Sequence, residues 1–150
     1  IAGIVERLCG TYGEELPGEE HAFPKAETLA ALEPEAFREA GCGYRAAYLS
    51  AAAREVAEGR LDLEALKAAP VREARLRLLE VPGVGPKVAD CVLLYGLGKA
   101  ERCPEDVWMK RVLAALGGEM PRCVMEEAGI AQQYLFYYAR NFPQKFKTPR

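Results

Sequence analysis

Residues 81–91 place two glycines and two prolines among apolar residues, and this segment constrains the fold more than any other. Gly83 and Gly85 flank a single valine, so the backbone can turn tightly and adopt positive φ angles without a Cβ clash. Pro86 suits the first position of a helix, where its missing N–H costs nothing. The segment therefore predicts a short hairpin between two helices. Its unpaired N–H groups would form a main-chain site for one phosphate, although an ordinary helix-to-helix turn uses the same residue types.

The rest of the chain has helical periodicity that glycine and proline interrupt at short intervals, and no segment alternates as a strand would. We predict about nine short helices in an all-α orthogonal bundle that contains the helix-hairpin-helix motif. Residues 13–25, rich in Gly, Pro and Glu, are predicted to be loop. The predicted helices span residues 1–12, 26–32, 34–40, 44–58, 63–68, 71–79, 86–95, 107–116 and 130–140.

The length of 150 residues suits one domain, or two closely packed helical lobes. No apolar run approaches the roughly 18 residues that a membrane span needs, so we expect no membrane contact. The first residues lack the basic start and apolar stretch of a secretory leader. Since helical spacing begins at Ile1, which is not an initiator residue, we expect the chain to begin inside a larger protein.

The five cysteines include no CxxC pair, so the usual spacing of zinc and iron–sulfur ligands is absent. A disulfide framework is also not expected in a chain of this size. We expect four of them to be mostly buried free thiols of a reducing, intracellular compartment (cytoplasm or nucleoid): Cys9, Cys42, Cys103 and Cys123.

The formal net charge of −2 argues against indiscriminate binding of nucleic acid. Acidic side chains prevail in residues 1–75 and basic side chains in residues 76–150, which end in Lys145, Lys147 and Arg150. We therefore expect any contact with a polyanion to be local and to come from the second half.

Lys87 and Asp106 are the candidates for covalent and electrostatic chemistry. Lys87 lies in the first turn of a predicted helix, where the positive end of the helix dipole favours a neutral amine. A neutral lysine is a nucleophile that can form a Schiff base, although a solvated surface lysine is the more frequent fate of this residue. Asp106 is first of all a helix N-cap. A capping carboxylate is also held rigidly in its ionised form, which can stabilise a developing positive charge.

Two predicted helices carry side chains four residues apart, so each offers a possible binding face. Cys91 lies four residues after Lys87, and Leu94 continues that face. Gln132 and Phe136 are also four residues apart and offer an amide edge beside an aromatic plane, which suits a flat heterocycle. Spacing alone, however, favours a core Phe136 and a solvated Gln132.

Tyr44 and Arg45 follow a glycine-flanked turn, so either could enter a base stack or meet a base edge. A hinge with a packed tyrosine explains them equally well.

Asp90 precedes Cys91 on the same predicted helix and can pair with a neighbouring basic side chain. We expect four further aromatic residues to belong to the core: Trp108, Tyr134, Tyr137 and Tyr138.

Residues 81–91, followed by residues 104–107, resemble the helix-hairpin-helix base-excision DNA glycosylases. Residues 43–46 and 129–136 narrow the resemblance to the 8-oxoguanine DNA glycosylase/AP lyase branch. The four motifs occur in the order of the family. The resemblance also implies an upstream β-rich domain and a wedge loop that these 150 residues do not include, and Glu105 stands where the family usually has an apolar residue.

The resemblance implies that Lys87 is the nucleophile at the sugar C1′ and that Asp106 is the catalytic carboxylate. It implies DNA contacts from the hairpin and from the earlier turn, through Gly83, Val84, Gly85, Tyr44 and Arg45. It implies a pocket for a flipped base, lined by Cys91, Gln132 and Phe136. A monovalent cation held by hairpin carbonyls is the one cofactor that it suggests.

We therefore expect residues 1–150 to be the catalytic domain of a monomeric, bifunctional DNA glycosylase that excises 8-oxoguanine from double-stranded DNA and cleaves by β-elimination. One alternative is a monofunctional alkylpurine glycosylase of the 3-methyladenine type, which relies on the aspartate and water and typically lacks a lysine at the position of Lys87. The other is a non-catalytic helix-hairpin-helix module, which needs the hairpin but not the pair of Lys87 and Asp106.

Overall fold

The computed structural model describes residues 1–18 and 20–146. Lys147 and Arg150 of the predicted basic tail lie outside the described residues. The described chain is all-α apart from one short ladder, as predicted. The α-helices are α1 (Ala2–Tyr12), α2 (Ala26–Ala30), α3 (Pro34–Glu39), α4 (Ala46–Ala57), α5 (Leu63–Ala68), α6 (Val71–Leu79), α7 (Pro86–Cys91), α8 (Val107–Ala115) and α9 (Ala128–Asn141). Short 3₁₀ turns cover Gly43–Arg45, Arg122–Glu127 and Pro143–Phe146, and a π-helical turn covers Val92–Gly96.

The ladder corrects the prediction that residues 13–25 are only loop. Strands β1 (Glu15–Leu16) and β2 (Glu20–His21) pair antiparallel, with Glu15 opposite His21 and Leu16 opposite Glu20. Gly18, at φ 90°, lies in the turn between them. Two-residue strands are too short to produce a detectable alternation, so the sequence pattern could not reveal them.

The chain divides into two compact units, of which the first comprises Ile1–Leu63 and Glu80–Gly83. Its helix α4 packs against α2 and α3. Phe37, 1% exposed, is the largest side chain of its core. The other buried members of this core are Leu8, Ala40, Cys42 and Ala46.

The second unit comprises Glu64–Leu79 and the chain from Val84 onward. Helices α8 and α9 pack against each other here. Met109 and Val112 of α8, both 0% exposed, meet Ala128 and Ala139 of α9. Alanines on α9 allow close approach of the larger side chains on α8, so this helix pair forms a fixed wall beside which a site can be built.

Several burial predictions were wrong. Tyr134 and Tyr137 are 76% and 72% exposed, because α9 turns Gln132 and Ala139, not its tyrosines, inward. Tyr138 is also exposed to solvent. Trp108, by contrast, packs against the core of the second unit, as predicted. The cysteines are all free, but only Cys42 is buried, Cys9 and Cys103 are half-buried, and Cys123 is exposed. No helix among the described residues is long and apolar enough to cross a membrane.

Candidate active site

The predicted hairpin lies between the end of α6 and the start of α7. Gly83 has a φ of 81°, and a Cβ placed on it would lie 2.3 Å from Cγ of Tyr48, so both its conformation and its packing require glycine. Gly85 differs, because a Cβ placed on it would meet no atom within 4 Å. Its main chain is therefore open to approach from outside, at the N-cap of α7.

One cavity of about 170 Å³ lies in the second unit, and it brings together five residues that the sequence analysis had selected from separate motifs. These are Lys87, Cys91, Asp106, Gln132 and Phe136. Three further lining residues were not predicted as pocket residues, namely Tyr95, Pro104 and Gln133.

Lys87 is exposed and follows Pro86, which takes the first position of α7. Its side chain reaches the cavity. No carboxylate among residues 1–18 and 20–146 forms an ion pair with it. An amine without a fixed acid partner is available as a nucleophile whenever it is neutral.

Asp106 caps α8, as predicted. Its Oδ1 accepts hydrogen bonds from the backbone N–H of Trp108 at 2.9 Å and of Met109 at 2.8 Å. Within the described part of the chain, Oδ2 accepts none. The two N–H groups hold the carboxylate rigidly, while the second oxygen remains for the cavity that Asp106 lines.

The sequence predicted a regular helix over residues 86–95. In the structure, the α-helix that starts at Pro86 ends at Cys91 and a π-helical turn follows it. The N–H of Leu97 bonds to the carbonyl of Val92 at 3.0 Å, five residues back, so the turn Val92–Gly96 holds one residue more than an α-turn. Consequently Tyr95, not Leu94, continues the face of Lys87 and Cys91 into the cavity, which corrects the prediction for Leu94.

Leu94 instead packs on α9. A Cβ placed on Gly129 would lie 2.3 Å from Cδ1 of Leu94 and 2.4 Å from the carbonyl oxygen of Arg102. The N–H of Gly129 also donates to the carbonyl of Ala100 at 2.8 Å. Gly129 therefore permits a close contact between the start of α9 and the segment that leads to Asp106.

Gln132 is 5% exposed and lines the cavity, so the alternative of a solvated Gln132 was wrong. Its Oε1 accepts a hydrogen bond from Nε2 of Gln133, and the same nitrogen donates to the hydroxyl of Tyr95. Phe136 is half-buried and serves two roles, because it lines the cavity and also packs against the core of the second unit. The guanidinium of Arg140 lies 5.8 Å from its ring centroid.

Burial raises the pKa of Tyr95 above its ordinary value, and the Cys91 thiol adds to this, while the hydrogen bond from Gln133 opposes it. The Tyr95 hydroxyl thus keeps its proton at neutral pH and is able to donate. Burial likewise raises the pKa of Cys103, with the charge of Glu105 adding to the effect.

Asp90 does not line the cavity but forms a buried ion cluster beside it. It is 6% exposed and pairs with Arg75 of α6 at 2.8 Å and with Arg102 at 2.7 Å. The hydrogen bond that the Arg75 guanidinium donates to Asp90 raises the pKa of Arg75. The predicted pairing of Asp90 with a basic neighbour is confirmed, and it ties α6, α7 and the segment before Asp106 together.

Tyr44 and Arg45 lie in the 3₁₀ turn Gly43–Arg45 of the first unit. Tyr44 is 76% exposed, and the guanidinium carbon of Arg45 lies 4.5 Å from its ring centroid. The alternative of a packed tyrosine was wrong, since the ring and the guanidinium stack on each other at the surface.

Among residues 1–18 and 20–146, no group of three His, Cys, Asp or Glu side chains could hold a metal ion. The cavity therefore offers an amine, a fixed carboxylate, an amide edge and an aromatic plane. An amine and a carboxylate can perform nucleophilic and electrostatic catalysis, and an amide with an aromatic ring can hold a planar heterocycle.

Known proteins are similar to this chain in sequence and in fold. The probable N-glycosylase/DNA lyase of Methanothermobacter thermautotrophicus is 47% identical over 76 residues, which are 51% of this chain and 24% of that protein. The N-glycosylase/DNA lyase of Saccharomyces cerevisiae is 34% identical over 127 residues, covering 75% of this chain and 34% of its own length.

A crystal structure of Clostridium acetobutylicum 8-oxoguanine glycosylase/lyase, in complex with double-stranded DNA containing cytosine opposite 8-oxoguanine, superposes with a TM-score of 0.81 at 30% identity. The alignment covers 94% of this chain and 53% of that one. The chain thus spans about half of the solved relative and a quarter to a third of the two curated ones.

The family model that matches is described as the HhH-GPD superfamily of base excision DNA repair proteins, and it matches residues 1–129. That range includes the hairpin, Lys87, Asp106 and the start of α9. The chain belongs to the HhH-GPD superfamily of base excision DNA repair proteins.

Proposed function

We propose that this protein is a bifunctional DNA glycosylase that removes 8-oxoguanine from double-stranded DNA and cleaves the strand at the resulting abasic site. The observation that carries the proposal is the shared cavity of Lys87, Asp106, Gln132 and Phe136. The names of the relatives, N-glycosylase/DNA lyase and 8-oxoguanine glycosylase/lyase, support it.

In the proposed reaction the neutral Nζ of Lys87 attacks C1′ of the damaged nucleotide. The N-glycosidic bond breaks, and the base leaves with its electron pair and takes up a proton. The carboxylate of Asp106 stabilises the positive charge that develops on the sugar. The C1′–O4′ bond of the sugar then breaks, a proton passes from the amine to O4′, and the C1′–Nζ bond becomes an imine, which acidifies C2′. Loss of a C2′ proton expels the 3′-phosphate by β-elimination, and water releases Lys87.

The size and lining of the cavity suit a single flipped base. An apolar cavity of about 150 Å³ accepts a benzene ring, so the cavity of about 170 Å³ is on the scale of one planar heterocycle. Phe136 would stack on the base and Gln132 would bind its pairing edge, with Cys91 on the wall between Lys87 and Tyr95. A base can reach such a cavity only after it leaves the duplex.

The hairpin and the exposed 3₁₀ turn would supply the DNA contacts. Gly85 leaves its main chain open for a phosphate, whereas Gly83 fixes the turn. The main chain of the hairpin would also hold the monovalent cation that the family resemblance suggests. Tyr44 and Arg45 would stack on bases of the bound DNA. We further propose that the protein acts as an intracellular monomer.

The monofunctional alternative, a 3-methyladenine-type glycosylase, needs Asp106 and water but no amine. An unpaired Lys87 on the cavity wall has no task in that reaction. A non-catalytic binding module would need the hairpin alone, and would leave the whole cavity unexplained.

Reductive trapping tests the proposal. The parent protein, mixed with duplex DNA that contains 8-oxoguanine and with sodium borohydride, should form a covalent complex, because borohydride reduces the imine to a stable amine. Lys87→Gln should abolish the complex and retain DNA binding. Lys110→Gln, which removes an exposed lysine of α8 outside the cavity, serves as the matched control and should trap like the parent.

Base release without any trapped complex would favour the monofunctional glycosylase. Trapping by Lys87→Gln at the parent rate would show that another amine is the nucleophile. Binding without base release would favour the non-catalytic module.

A further inference from the structure

Three polar side chains at the cavity form one connected hydrogen-bond chain. Nε2 of Gln133 donates to both the hydroxyl of Tyr95 and Oε1 of Gln132. A side-chain amide nitrogen carries two hydrogens, so these two acceptors use its full donor capacity. All three residues line the cavity.

The hydrogen bond from Gln133 to Gln132 depends on Tyr95, which holds the other hydrogen of the Gln133 amide. Side chains at neighbouring positions of a helix diverge and do not normally meet. Gln133 lies next to Gln132 on α9, yet its amide bends across to reach the Gln132 carbonyl. The π-helical turn places Tyr95 on the cavity side, where its hydroxyl holds the other hydrogen of the same amide.

The donor-to-acceptor direction of these hydrogen bonds fixes the orientation of the Gln132 side-chain amide. Since Oε1 of Gln132 accepts from Gln133, the NH₂ group of Gln132 must point the other way. Within the described residues this NH₂ group donates to no protein acceptor, and no buried side-chain nitrogen or oxygen is left without a partner. The NH₂ group is therefore accessible from the cavity.

We propose that Gln133, anchored by Tyr95, is a positioning residue that holds the Gln132 amide with its NH₂ group towards the cavity. The pocket then selects a base whose pairing edge presents a carbonyl group and disfavours one that presents an amino group there. This inference rests on the proposed function and extends it, because it assigns the choice of base to residues beyond Gln132.

Substitution of Gln133 by glutamate should reverse the direction of these hydrogen bonds. A carboxylate only accepts hydrogen bonds, so at this position it would accept from the Tyr95 hydroxyl and from the NH₂ group of Gln132. Gln132 would then turn its carbonyl oxygen towards the cavity. Gln133→Met, similar in length but without hydrogen-bonding groups, would remove the constraint without reversing it.

The experiment compares single-turnover excision of 8-oxoguanine, which has a carbonyl at C6, with excision of 8-oxoadenine, which has an amino group there. The parent should prefer 8-oxoguanine. Gln133→Met should lower this preference by about tenfold, the usual value of one hydrogen bond. Gln133→Glu should lower it further or invert it. Because the preference is a ratio within one variant, any effect of the new charge on the chemical step cancels.

Two further measurements separate positioning from damage to the fold. Cleavage at a preformed abasic site uses Lys87 and Asp106 but no base, so it should stay within about twofold of the parent in Gln133→Met, which adds no charge to the cavity. Tyr95→Phe should lower the preference as Gln133→Met does, and the double variant should show no further loss. Tyr134→Phe, an exposed tyrosine of α9, is the matched control and should leave the preference unchanged.

An unchanged preference in Gln133→Glu, or an equal fall of excision and abasic-site cleavage in Gln133→Met, would overturn the inference. If the parent excises neither base, the proposed function fails, and calorimetric binding of the two free bases still tests the inference. Binding of 8-oxoguanine over 8-oxoadenine that reverses in Gln133→Glu would support it. A preference that is the same in parent and variant would refute it.

Discussion

Asp90 and Asp106 both hold fixed positions in the second unit, but their partners differ in kind. Asp90 is buried, and the guanidiniums of Arg75 and Arg102 bind both of its oxygens. Asp106 is half-buried, and two backbone N–H groups bind one oxygen only. The first carboxylate is buried, neutralised by two guanidiniums and absent from the cavity lining, whereas the second lines the cavity and has one oxygen that accepts no hydrogen bond within the described chain.

The difference shows how one side chain type serves either stability or chemistry. A carboxylate that is neutralised by guanidiniums fixes the elements which those arginines come from. A carboxylate that is held by a helix terminus keeps its charge and one free oxygen, as the stabilisation of a cationic sugar requires. Three predictions test whether the two aspartates differ in this way, and a fourth concerns the segment that lies between them.

The largest effect is expected for Asp106→Asn. Asparagine also caps helices, so the free energy of unfolding should fall by less than about 1 kcal/mol. Excision should slow by about 100-fold or more, because the charge near the sugar is lost. Urea unfolding and single-turnover excision measure the two quantities. A large loss of stability that matches the loss of activity would mean that Asp106 is structural only.

Asp90→Asn should give the opposite pattern. Two guanidiniums would lose their shared carboxylate, and the free energy of unfolding should fall by about 2–3 kcal/mol, below the full range for buried pairs because both arginines keep some solvent contact. At a temperature where the variant stays folded, excision should slow by less than about tenfold. If Asp90→Asn keeps its stability and loses activity like Asp106→Asn, the contrast between the two aspartates is wrong.

The two arginines sharpen the comparison. Arg75→Met and Arg102→Met each leave Asp90 with one guanidinium, so each should lower the free energy of unfolding by about 1–2 kcal/mol. Only Arg102 lies on the segment that leads to Asp106, so only Arg102→Met should also slow excision, by about threefold or more. Equal excision rates for the two variants would show that the ion cluster does not position Asp106.

The smallest effect concerns Cys103, which follows Arg102 in the same segment. Burial raises the pKa of its thiol in the folded state above the ordinary value of 9.0, so the folded protein holds this proton more tightly than the unfolded chain does. The resulting stabilisation is fully present below pH 9.0 and is lost as the pH rises through the folded value.

Cys103→Ser removes the titrating group, so the alkaline fall in the free energy of unfolding should be shallower in this variant than in the parent. Urea unfolding between neutral pH and about pH 10.5 measures the slopes. Identical slopes would mean that the thiol titrates alike in the folded and unfolded states.

Local patterns predicted much of the fold. The bounds of α5 and α6 agree with those of the predicted helices, and the Asp106 cap and the hairpin also occur where they were expected. These features depend on a few adjacent residues: a capping side chain, a Gly-x-Gly turn, and a proline at the first helical position. Five of the eight cavity residues were recognised because they lie in motifs with the spacing and order of a family.

The rest depends on tertiary contacts that no local pattern contains. The widened turn 92–96 accompanies the contact of Leu94 with Gly129, which comes from a distant helix. Tyr134 and Tyr137 have the spacing of core residues, but the face of α9 that is buried was decided by small residues and Gln132. Gln133 gave no signal at all, because its role requires Tyr95 to be on the same side of the cavity.

The π-helical turn also changes how length variation should be interpreted at this site. A regular α-helix advances about 100° per residue, so one additional residue in a turn changes the angular phase of every position that follows it in that helix. Here the change keeps Lys87, Cys91 and Tyr95 on one edge while Leu93 stays fully buried. A single-residue gap at 92–96 in a related sequence would therefore indicate a different residue on the cavity wall, and an altered choice of base, where a gap in a surface loop would indicate nothing.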